Sequence, residues 1–357
     1  MKLKISIIGA GAFGLSAALV MSENKNLDIT IYEKNNKILD GATFANHNRH
    51  HYGFHYPRSE ETIQEINISK NIFEFYFKKS CLFNFPNFYA ISKNNSKISS
   101  DLYENFLIQN NLEYKSIPID KKIFNKNIID KVFQVNEGIY EFTEMKKVYE
   151  SRLKKSKVKI KLCHKLVDAD INKKNILKFE TIKGRKVLHS DVVINATYAN
   201  FNDIISLFRL KNNKSEYNLQ EFAIISFKNN KRIGLTVMDG NFPSVLPIGN
   251  SHYHLLAHVS ESQLIKEINL KNNLYKNNYI FTNYNLILNE SKKYLSLLEN
   301  SIYHRSLLSS RVVVKNTNDT RKSDIIEHGK GFYSIFGAKI ISSEYIAIQL
   351  AQKINSL

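Results

Sequence analysis

One stretch near the start of the chain, KISIIGAGAFGLSAALVMSENKNLDITIYEK (residues 4–34), restricts the fold more than any other. Residues 4–8 predict a buried strand, and Gly9, Gly11 and Gly14 form a G-x-G-x-x-G turn at the point where a helix begins. Gly9 permits the tight turn, Gly11 lets a diphosphate approach the backbone, and Gly14 lets the helix pack closely on the strand. This order of elements predicts a Rossmann-like α/β domain that binds a dinucleotide.

The helix after the turn indicates where the diphosphate binds. Its first N–H groups have no partner within the helix and carry the positive end of the helix dipole, so they favour a diphosphate without any basic side chain. Glu33 ends the second strand, nineteen residues after Gly14. A carboxylate at that distance accepts hydrogen bonds from both ribose hydroxyls and repels a 2′-phosphate, so we expect an unphosphorylated adenosine.

The composition fits a globular chain with scattered positive charge. Its 357 residues are 43% hydrophobic and 11% aromatic, which is enough for two packed domains. The formal net charge is +18, but the lysines are spread through Lys/Asn-rich turns at 93–97, 121–127 and 211–215. Because a nucleic-acid surface needs clustered cations, we predict no nucleic-acid partner.

Two further features bear on the compartment. Cys81 and Cys163 are the only cysteines, too few for a disulfide framework, which fits a reducing compartment. The N-terminal run imitates a secretory signal, but its glycine spacing favours the nucleotide turn, and no other run is long and apolar enough for a membrane span. We therefore expect a soluble, cytoplasmic protein.

A second stretch, TFANHNRHHYGFHYPRS (residues 43–59), holds four histidines and two arginines in seventeen positions. One interpretation is a metal site built on four imidazoles, those of His47, His50, His51 and His55. The others are a basic patch for an anion and a loop that lines a cofactor. Gly53 and Pro57 interrupt the helix that would gather four imidazoles, and no Cys or acidic ligand accompanies them, so we predict no metal. Arg49 and Arg58 suit an oxyanion, because a planar guanidinium binds one bidentately.

Three separated segments resemble the D-amino-acid oxidase superfamily of FAD-dependent oxidoreductases. HYGFHY (51–56) is similar to the His-x-Gly-x-x-Tyr stretch of its glycerol-3-phosphate dehydrogenase and 2-hydroxyglutarate oxidase branches. DVVINATYAN (191–200) is similar to the family's strand over the adenosine half, with Tyr198 where the family usually has Gly. GFYSIFGAKIISSEYIAIQLAQKI (331–354) resembles its C-terminal strand, turn and helix.

The resemblance implies that the cofactor is FAD rather than a nicotinamide. We expect it to be bound without a covalent link, although some relatives attach the flavin covalently through a histidine. It also implies that the start of the C-terminal helix lies under the flavin, where the helix dipole and Lys339 stabilise negative charge at N1 and O2. The cofactor-binding residues predicted from the nucleotide motif and the resemblance are Gly9, Ala10, Gly11, Phe13, Gly14, Glu33, Lys34, Thr43, Asn46, Asn48, Arg49, Val167, Ala196, Thr197, Gly337, Ala338, Lys339 and Ile340.

The rest of the chain predicts a second domain. Residues 222–259 indicate consecutive antiparallel strands, and residues 269–304 indicate helical segments. The fold class that we expect is α/β: a discontinuous Rossmann-like FAD-binding domain (1–75, 146–205 and 316–357) with an inserted α+β substrate domain built on an antiparallel sheet (76–145 and 206–315).

We expect the enzyme to remove a hydride from a CH–OH or CH–NH₂ carbon of a small anionic substrate. His51 is the predicted base and Tyr56 the residue that helps orient the substrate. The predicted substrate-binding residues are His55, Arg58, Tyr253 and Arg311, with His252, His254 and Arg305 as further candidates. The resemblance of residues 51–56 favours hydroxyl oxidation. The alternatives are D-amino-acid or secondary-amine oxidation and, less favoured, a flavin protein linked to tRNA modification.

Overall fold

A computed structural model of the chain describes residues 2–171, 175–212, 214–269, 272, 281–314, 322–337 and 339–356. The strands in chain order are β1 Leu3–Ile8, β2 Leu27–Tyr32, β3 Arg49–His50, β4 Cys81–Leu82, β5 Asn87–Ser92, β6 Tyr114–Ile117, β7 Ile129–Val135, β8 Gly138–Tyr140, β9 Lys159–Lys161, β10 His164–Asp170, β11 Ile176–Thr181, β12 Gly184–His189, β13 Val192–Asn195, β14 Ser215–Phe227, β15 Gly234–Met238, β16 Pro243–Pro247, β17 Tyr253–His258, β18 Gln263–Asn269, β19 Ser301–Val314, β20 Asp324–Gly329 and β21 Phe332–Phe336.

The α-helices are α1 Ala12–Met21, α2 Glu60–Phe77, α3 Ser100–Gln109, α4 Phe142–Lys155, α5 Phe201–Leu207, α6 Tyr284–Lys292 and α7 Ser343–Asn355, and 3₁₀ turns occur at Lys78–Ser80, Tyr198–Asn200, Ser296–Asn300 and Ile340–Ser342. None of the helices in the described ranges is long and apolar enough to cross a membrane.

A six-stranded sheet in the order β20-β21-β13-β1-β2-β9 forms the half that contains the predicted nucleotide motif. Its pairs are parallel except at the edge, where β20 runs antiparallel to β21. The alternation along β1 covers both faces, because Ile5 and Ile7 pack with α1 and α7 while Ile8 joins a second core that includes Phe201 of α5. Burial on both faces explains why β1 reads as an almost continuous apolar run.

The predicted elements of this half are present with small shifts. The first motif folds as β1, the glycine turn, α1 and β2, with Glu33 directly after β2. At the other end of the chain, β21 is followed by the 3₁₀ turn at Ile340–Ser342, so that α7 begins at Ser343, later than the turn where we expected it.

A nine-stranded sheet forms the other half. Its order is β18-β14-β17-β16-β15-β5-β7-β6, and β19 pairs with β14 along the latter's second edge. The predicted antiparallel strands of 222–259 are present as β14 to β17, but β14 pairs with β17, and β15 pairs in parallel with β5 from far upstream. The division of the chain into a FAD-binding domain and an insert stays a prediction.

The prediction of helical segments over 269–304 is wrong at its end. In the described part of this range, α6 and the 3₁₀ turn at Ser296–Asn300 are helical, but residues 301–304 begin β19. β19 runs antiparallel to β14 with Ser301 opposite Phe227 and Val314 opposite Ser215. Pairing with a strand some eighty residues away overrides the local pattern. Residues 270–271 and 273–280 lie outside the described residues.

Candidate active site

A cavity of about 1410 Å³ lies between the two large sheets. Its lining includes the carboxyl ends of β1, β2, β13 and β21, where open parallel sheets bind ligands, and residues of β14 and β19 opposite them. The volume exceeds the roughly 300–1,000 Å³ of a site for one small ligand. The cavity therefore has room for a dinucleotide together with a small substrate.

The three glycines of the first motif play different parts at this cavity. Gly9 has φ +105°, and a Cβ there would lie 2.8 Å from the carbonyl oxygen of Ala196. A Cβ on Gly14 would collide with the carbonyl oxygen of Gly9. At Gly11, in contrast, the described residues place a single atom within 4 Å of such a Cβ, the Thr43 hydroxyl at 3.4 Å. Space beside Gly11 is therefore open, as a diphosphate at the start of α1 requires.

Glu33 is held at the cavity by two backbone donors. Its Oε2 accepts from the Ala10 N–H at 2.8 Å and its Oε1 from the Asn35 N–H at 2.9 Å. These bonds fix the carboxylate at the carboxyl end of β2, next to the glycine turn, where it lines the cavity. Ala10 itself is not part of the lining; its amide orients the predicted ribose-binding acid.

A hydrogen-bonded loop closes over the start of α1. Thr43 Oγ1 accepts from the Ala12 N–H at 3.2 Å, and Asn46 Nδ2 donates to the Thr43 carbonyl at 3.0 Å. Asn46 Oδ1 accepts from Tyr140 Oη at 2.5 Å and from the Asn48 N–H at 2.6 Å. Thr43 and Asn46 line the cavity, whereas Asn48 is buried behind them and is not brought to it.

Within the histidine-rich segment, β3 is extended, and its two side chains, those of Arg49 and His50, point to different environments. The odd-numbered side chains that line the cavity are those of His47, Arg49 and His51. On the opposite side, His50 Nε2 lies 2.8 Å from Glu74 Oε1, and the Tyr52 hydroxyl donates to the same carboxylate. His50 therefore faces Glu74 rather than the cavity that His47 and His51 line, and the four imidazoles do not converge. No group of three or more His, Cys, Asp or Glu side chains in the described ranges is placed to hold a metal.

His51 is a neutral imidazole at the cavity. Burial holds its pKa well below its usual range, and the electrostatic influence of Arg49, followed by His55, Lys339 and His50, lowers the pKa further. Its Nε2 lies 3.5 Å from the Tyr56 hydroxyl, and within the described residues its Nδ1 has no hydrogen-bond partner. A neutral imidazole can accept a proton.

His47 shares this character. Its pKa falls to about 3, first because of burial and then because of Arg49. The ring lies 5.1 Å from that of Phe222, and Nδ1 lies 3.2 Å from the Ser244 hydroxyl.

Arg49 lines the cavity, but its guanidinium is engaged on the other side. Its Nη1 lies 2.7 Å from Glu137 Oε2 and 2.5 Å from Tyr89 Oη, and its Nη2 lies 2.9 Å from Thr236 Oγ1. Burial lowers the pKa of Arg49, but Tyr89 and Glu137 outweigh that effect and raise it, so Arg49 stays charged. The predicted contact with the cofactor is therefore limited to what its aliphatic stem and backbone offer.

A buried ion pair fixes the predicted flavin end. Lys339 Nζ lies 3.7 Å from Glu65 Oε1 and 5.5 Å from the centroid of the Tyr56 ring. The Glu65 carboxylate also accepts from the Ser342 hydroxyl at 2.5 Å and from the Ser323 N–H at 2.6 Å. Lys339 lines the cavity together with other members of the predicted set, namely Phe13, Lys34, Val167, Ala196, Thr197, Gly337 and Ile340. Ala338 lies outside the described residues.

The structure does not bring several predicted substrate contacts to the cavity. Tyr253 is 36% exposed, and its ring contacts those of His252 and His304. Arg58 pairs with Asp239 at 2.5 Å, outside the lining. His55 lies beside the lining, its ring centroid 6.2 Å from that of His51.

Of the remaining strand candidates, Arg311 lines the cavity, whereas Arg305 and His254 do not. Arg305 is exposed on β19 and His254 is buried in the sheet, where its Nε2 accepts from the Ile233 N–H at 3.2 Å. Arg311 of β19 lines the same cavity as His51, and its role as an anion anchor stays a prediction.

Tyr198, which stands where the family usually has glycine, keeps a backbone conformation typical of glycine. It lines the cavity next to Thr197 with φ +49°, in the left-handed region that glycine adopts without cost. The chain thus keeps the backbone turn while placing a phenol ring beside the site. Glu137, Glu65 and Phe222 were not predicted from the sequence, because they lie far along the chain from their partners Arg49, Lys339 and His47.

Comparisons with known proteins identify the family of the chain and its fold. Residues 4–211 match the family model described as DAO, FAD dependent oxidoreductase. No curated protein sequence matches the chain. Glycine oxidase from Geobacillus kaustophilus is similar in structure, with a TM-score of 0.77 at 9% identity over 99% of this chain and 95% of that chain. L-α-Glycerophosphate oxidase from Mycoplasma pneumoniae with FAD bound has a TM-score of 0.76 at 13% identity, over 99% and 95%. L-Proline dehydrogenase from P. horikoshii has 0.74 at 13%, over 99% and 94%.

Proposed function

The chain belongs to the DAO family of FAD-dependent oxidoreductases, and from that premise we propose that it removes a hydride from a CH–OH carbon of a small anionic substrate. The family, the fold and the FAD cofactor predicted from the sequence are confirmed. The observation that carries the proposal is the neutral His51, which lines the cavity beside Tyr56 and Lys339.

The residues at this end divide the work of the reaction. Bound FAD supplies the hydride acceptor. As the C–H bond breaks, the neutral imidazole of His51 takes the proton of the substrate hydroxyl, and the Tyr56 hydroxyl orients the substrate. The charged neighbours with the largest effects on His51 are cationic, which favours a negatively charged substrate over a positively charged one.

Oxidation of a CH–NH₂ carbon is the second candidate. The same imidazole serves as base for a neutral amine, and the similar structures include glycine oxidase and L-proline dehydrogenase as well as L-α-glycerophosphate oxidase. The resemblance of residues 51–56 to the hydroxyl-oxidising branches places the alcohol first. A cytoplasmic location is part of the same proposal.

An anaerobic screen tests the proposal. Hydroxy acids, sugar phosphates and amino acids are added to the yellow holoenzyme, and bleaching is followed near 450 nm, roughly the oxidised-flavin band. We expect hydroxy acids or sugar phosphates to bleach the flavin, and their uncharged analogues to do so more slowly. Bleaching by amino acids alone assigns amine oxidation instead.

Substitution of His51 tests the base. His51→Asn is expected to retain FAD and to slow bleaching by roughly two to four orders of magnitude. His50→Asn is the matched control, because that neighbouring imidazole points to Glu74. Full activity of His51→Asn would remove the base from the proposal.

A further inference from the structure

His51 has few restraints of its own. Its one hydrogen-bonding neighbour through Nε2 is the Tyr56 hydroxyl, at the long distance of 3.5 Å, and within the described residues Nδ1 has no partner. A base that must meet a substrate proton within hydrogen-bond reach needs a fixed position. The surrounding backbone therefore has to supply that position.

Glu137 binds the chain on both sides of His51. Its Oε2 lies 2.7 Å from Arg49 Nη1, two residues before His51, and its Oε1 accepts from the N–H of Tyr52, one residue after it, at 3.0 Å. One carboxylate thus uses each oxygen to hold one flank of the imidazole. Its side chain is fully buried, so water does not compete for these bonds.

Glu137 and Arg49 are both hydrogen-bonded to the nine-stranded sheet. Tyr89 of β5 donates to Glu137 Oε2 at 2.5 Å, and Thr236 of β15 accepts from Arg49 at 2.9 Å. Asn87 of β5 donates to the Glu137 carbonyl at 2.8 Å. These contacts connect the histidine segment to two adjacent strands of the sheet, β5 and β15.

We propose that Glu137 is a positioning residue for the oxidation, which holds His51 in the cavity by clamping Arg49 and the Tyr52 amide. The proposal rests on the proposed role of His51 as base. Glu137 does not line the cavity, so it acts on the reaction through His51 rather than on the substrate.

The test is a double-mutant cycle of His51→Asn and Glu137→Gln in the FAD-loaded enzyme. The probes are sn-glycerol 3-phosphate, 2-hydroxyglutarate and glycine, and the measured quantity is the anaerobic rate of flavin bleaching with the fastest of them. Glu137→Gln alone is expected to slow bleaching about 10- to 100-fold at saturating probe, the cost of misplacing a reacting group by about 1 Å, while KM changes little. In the His51→Asn background the same substitution should cost less than about threefold, because the residue that Glu137 positions is gone.

Glu221→Gln is the matched control, since Glu221 is also a fully buried carboxylate of the large sheet but binds Asn283 and Thr282, away from His51. It should bleach at the wild-type rate. Hydrogen exchange of the FAD-loaded proteins gives a readout without substrate: in Glu137→Gln the Tyr52 amide should exchange roughly fivefold faster, as expected when one hydrogen bond is weakened, and in Glu221→Gln it should not.

Two results overturn different parts of the proposal. If Glu137→Gln slows His51→Asn by as much as it slows the wild type, or leaves both the rate and the Tyr52 amide unchanged, Glu137 is not a positioning residue. If His51→Asn bleaches at the wild-type rate, the base itself is misassigned, and Glu137 has no base to position.

Discussion

Gly11→Val separates cofactor binding from folding. The structure places one atom, at 3.4 Å, within reach of a Cβ at Gly11, and the backbone there has φ −76°, which any residue adopts. The apoprotein should therefore change its free energy of unfolding by less than about 1 kcal/mol, since loss of a glycine N-cap and gain of chain stiffness oppose each other. The side chain instead occupies the space beside the start of α1, where the diphosphate must lie.

The expected loss of affinity follows from the bonds that the side chain blocks. Displacing the diphosphate from two backbone N–H groups removes two charge-assisted hydrogen bonds, each about 1.5–3 kcal/mol. The total of about 3–6 kcal/mol weakens the FAD dissociation constant by roughly 10²- to 10⁴-fold. Equilibrium dialysis of the apoprotein with FAD measures this constant, and denaturant unfolding measures the stability.

Gly14→Ala is the informative contrast. Its methyl group collides with the Gly9 carbonyl, so we expect it to destabilise the apoprotein itself, by about 1–3 kcal/mol for overpacking. If the Gly11→Val protein binds FAD as tightly as the wild type, the placement of the diphosphate is refuted. Equal destabilisation by the two substitutions would refute the distinction between an open and a closed glycine.

Three further predictions concern single groups. Glu33→Gln should weaken FAD binding by roughly 10- to 100-fold. Both oxygens of the Glu33 carboxylate accept from backbone N–H groups, and the NH₂ of a glutamine would have to face one of those donors. Unchanged affinity in dialysis would remove Glu33 from the ribose site. The free energy of unfolding should fall as the pH drops below about 6.5, because the unfolded chain binds protons at His47 and His254 near that pH, whereas burial lowers their folded pKa values to about 3 and about 4. His254→Asn should flatten that slope in denaturant titrations, and an unchanged slope would contradict the assignment. The pKa of the Cys81 thiol is raised to about 12, first by burial and then by Glu74. Cys81 should therefore resist iodoacetamide at pH 8 in the native protein and react once the protein is unfolded, which mass spectrometry can follow.

Local patterns predicted the nucleotide half well because its signals are contiguous. The order of strand, glycine turn and helix in residues 4–34 depends on neighbours in sequence, and so does the C-terminal strand and turn. Tyr198 shows the limit of such reasoning: the family pattern indicates glycine, and the chain instead accepts a left-handed tyrosine, which the surrounding structure must hold in place.

Long-range contacts decided what the sequence did not predict. β19 is a strand because it pairs with β14, although its first residues fit a helical pattern. Glu137 could not be found from the histidine-rich segment, because its partner Arg49 lies 88 residues away and neither side chain carries a motif. Arg58 and Tyr253 were chosen by residue type, but ion pairing and strand position keep them from the cavity.

The packing of α1 on α7 sets an order of events during synthesis. α1 has an almost wholly apolar surface, and the helix that covers it, together with β21 beside β13, is synthesised only after every element between them. At about 5–20 residues per second, the nascent α1 waits between roughly 15 seconds and one minute for that cover. During that interval the apolar surface of α1 lacks its native cover, and we expect the nascent chain to bind chaperones that recognise exposed apolar segments until α7 has been synthesised.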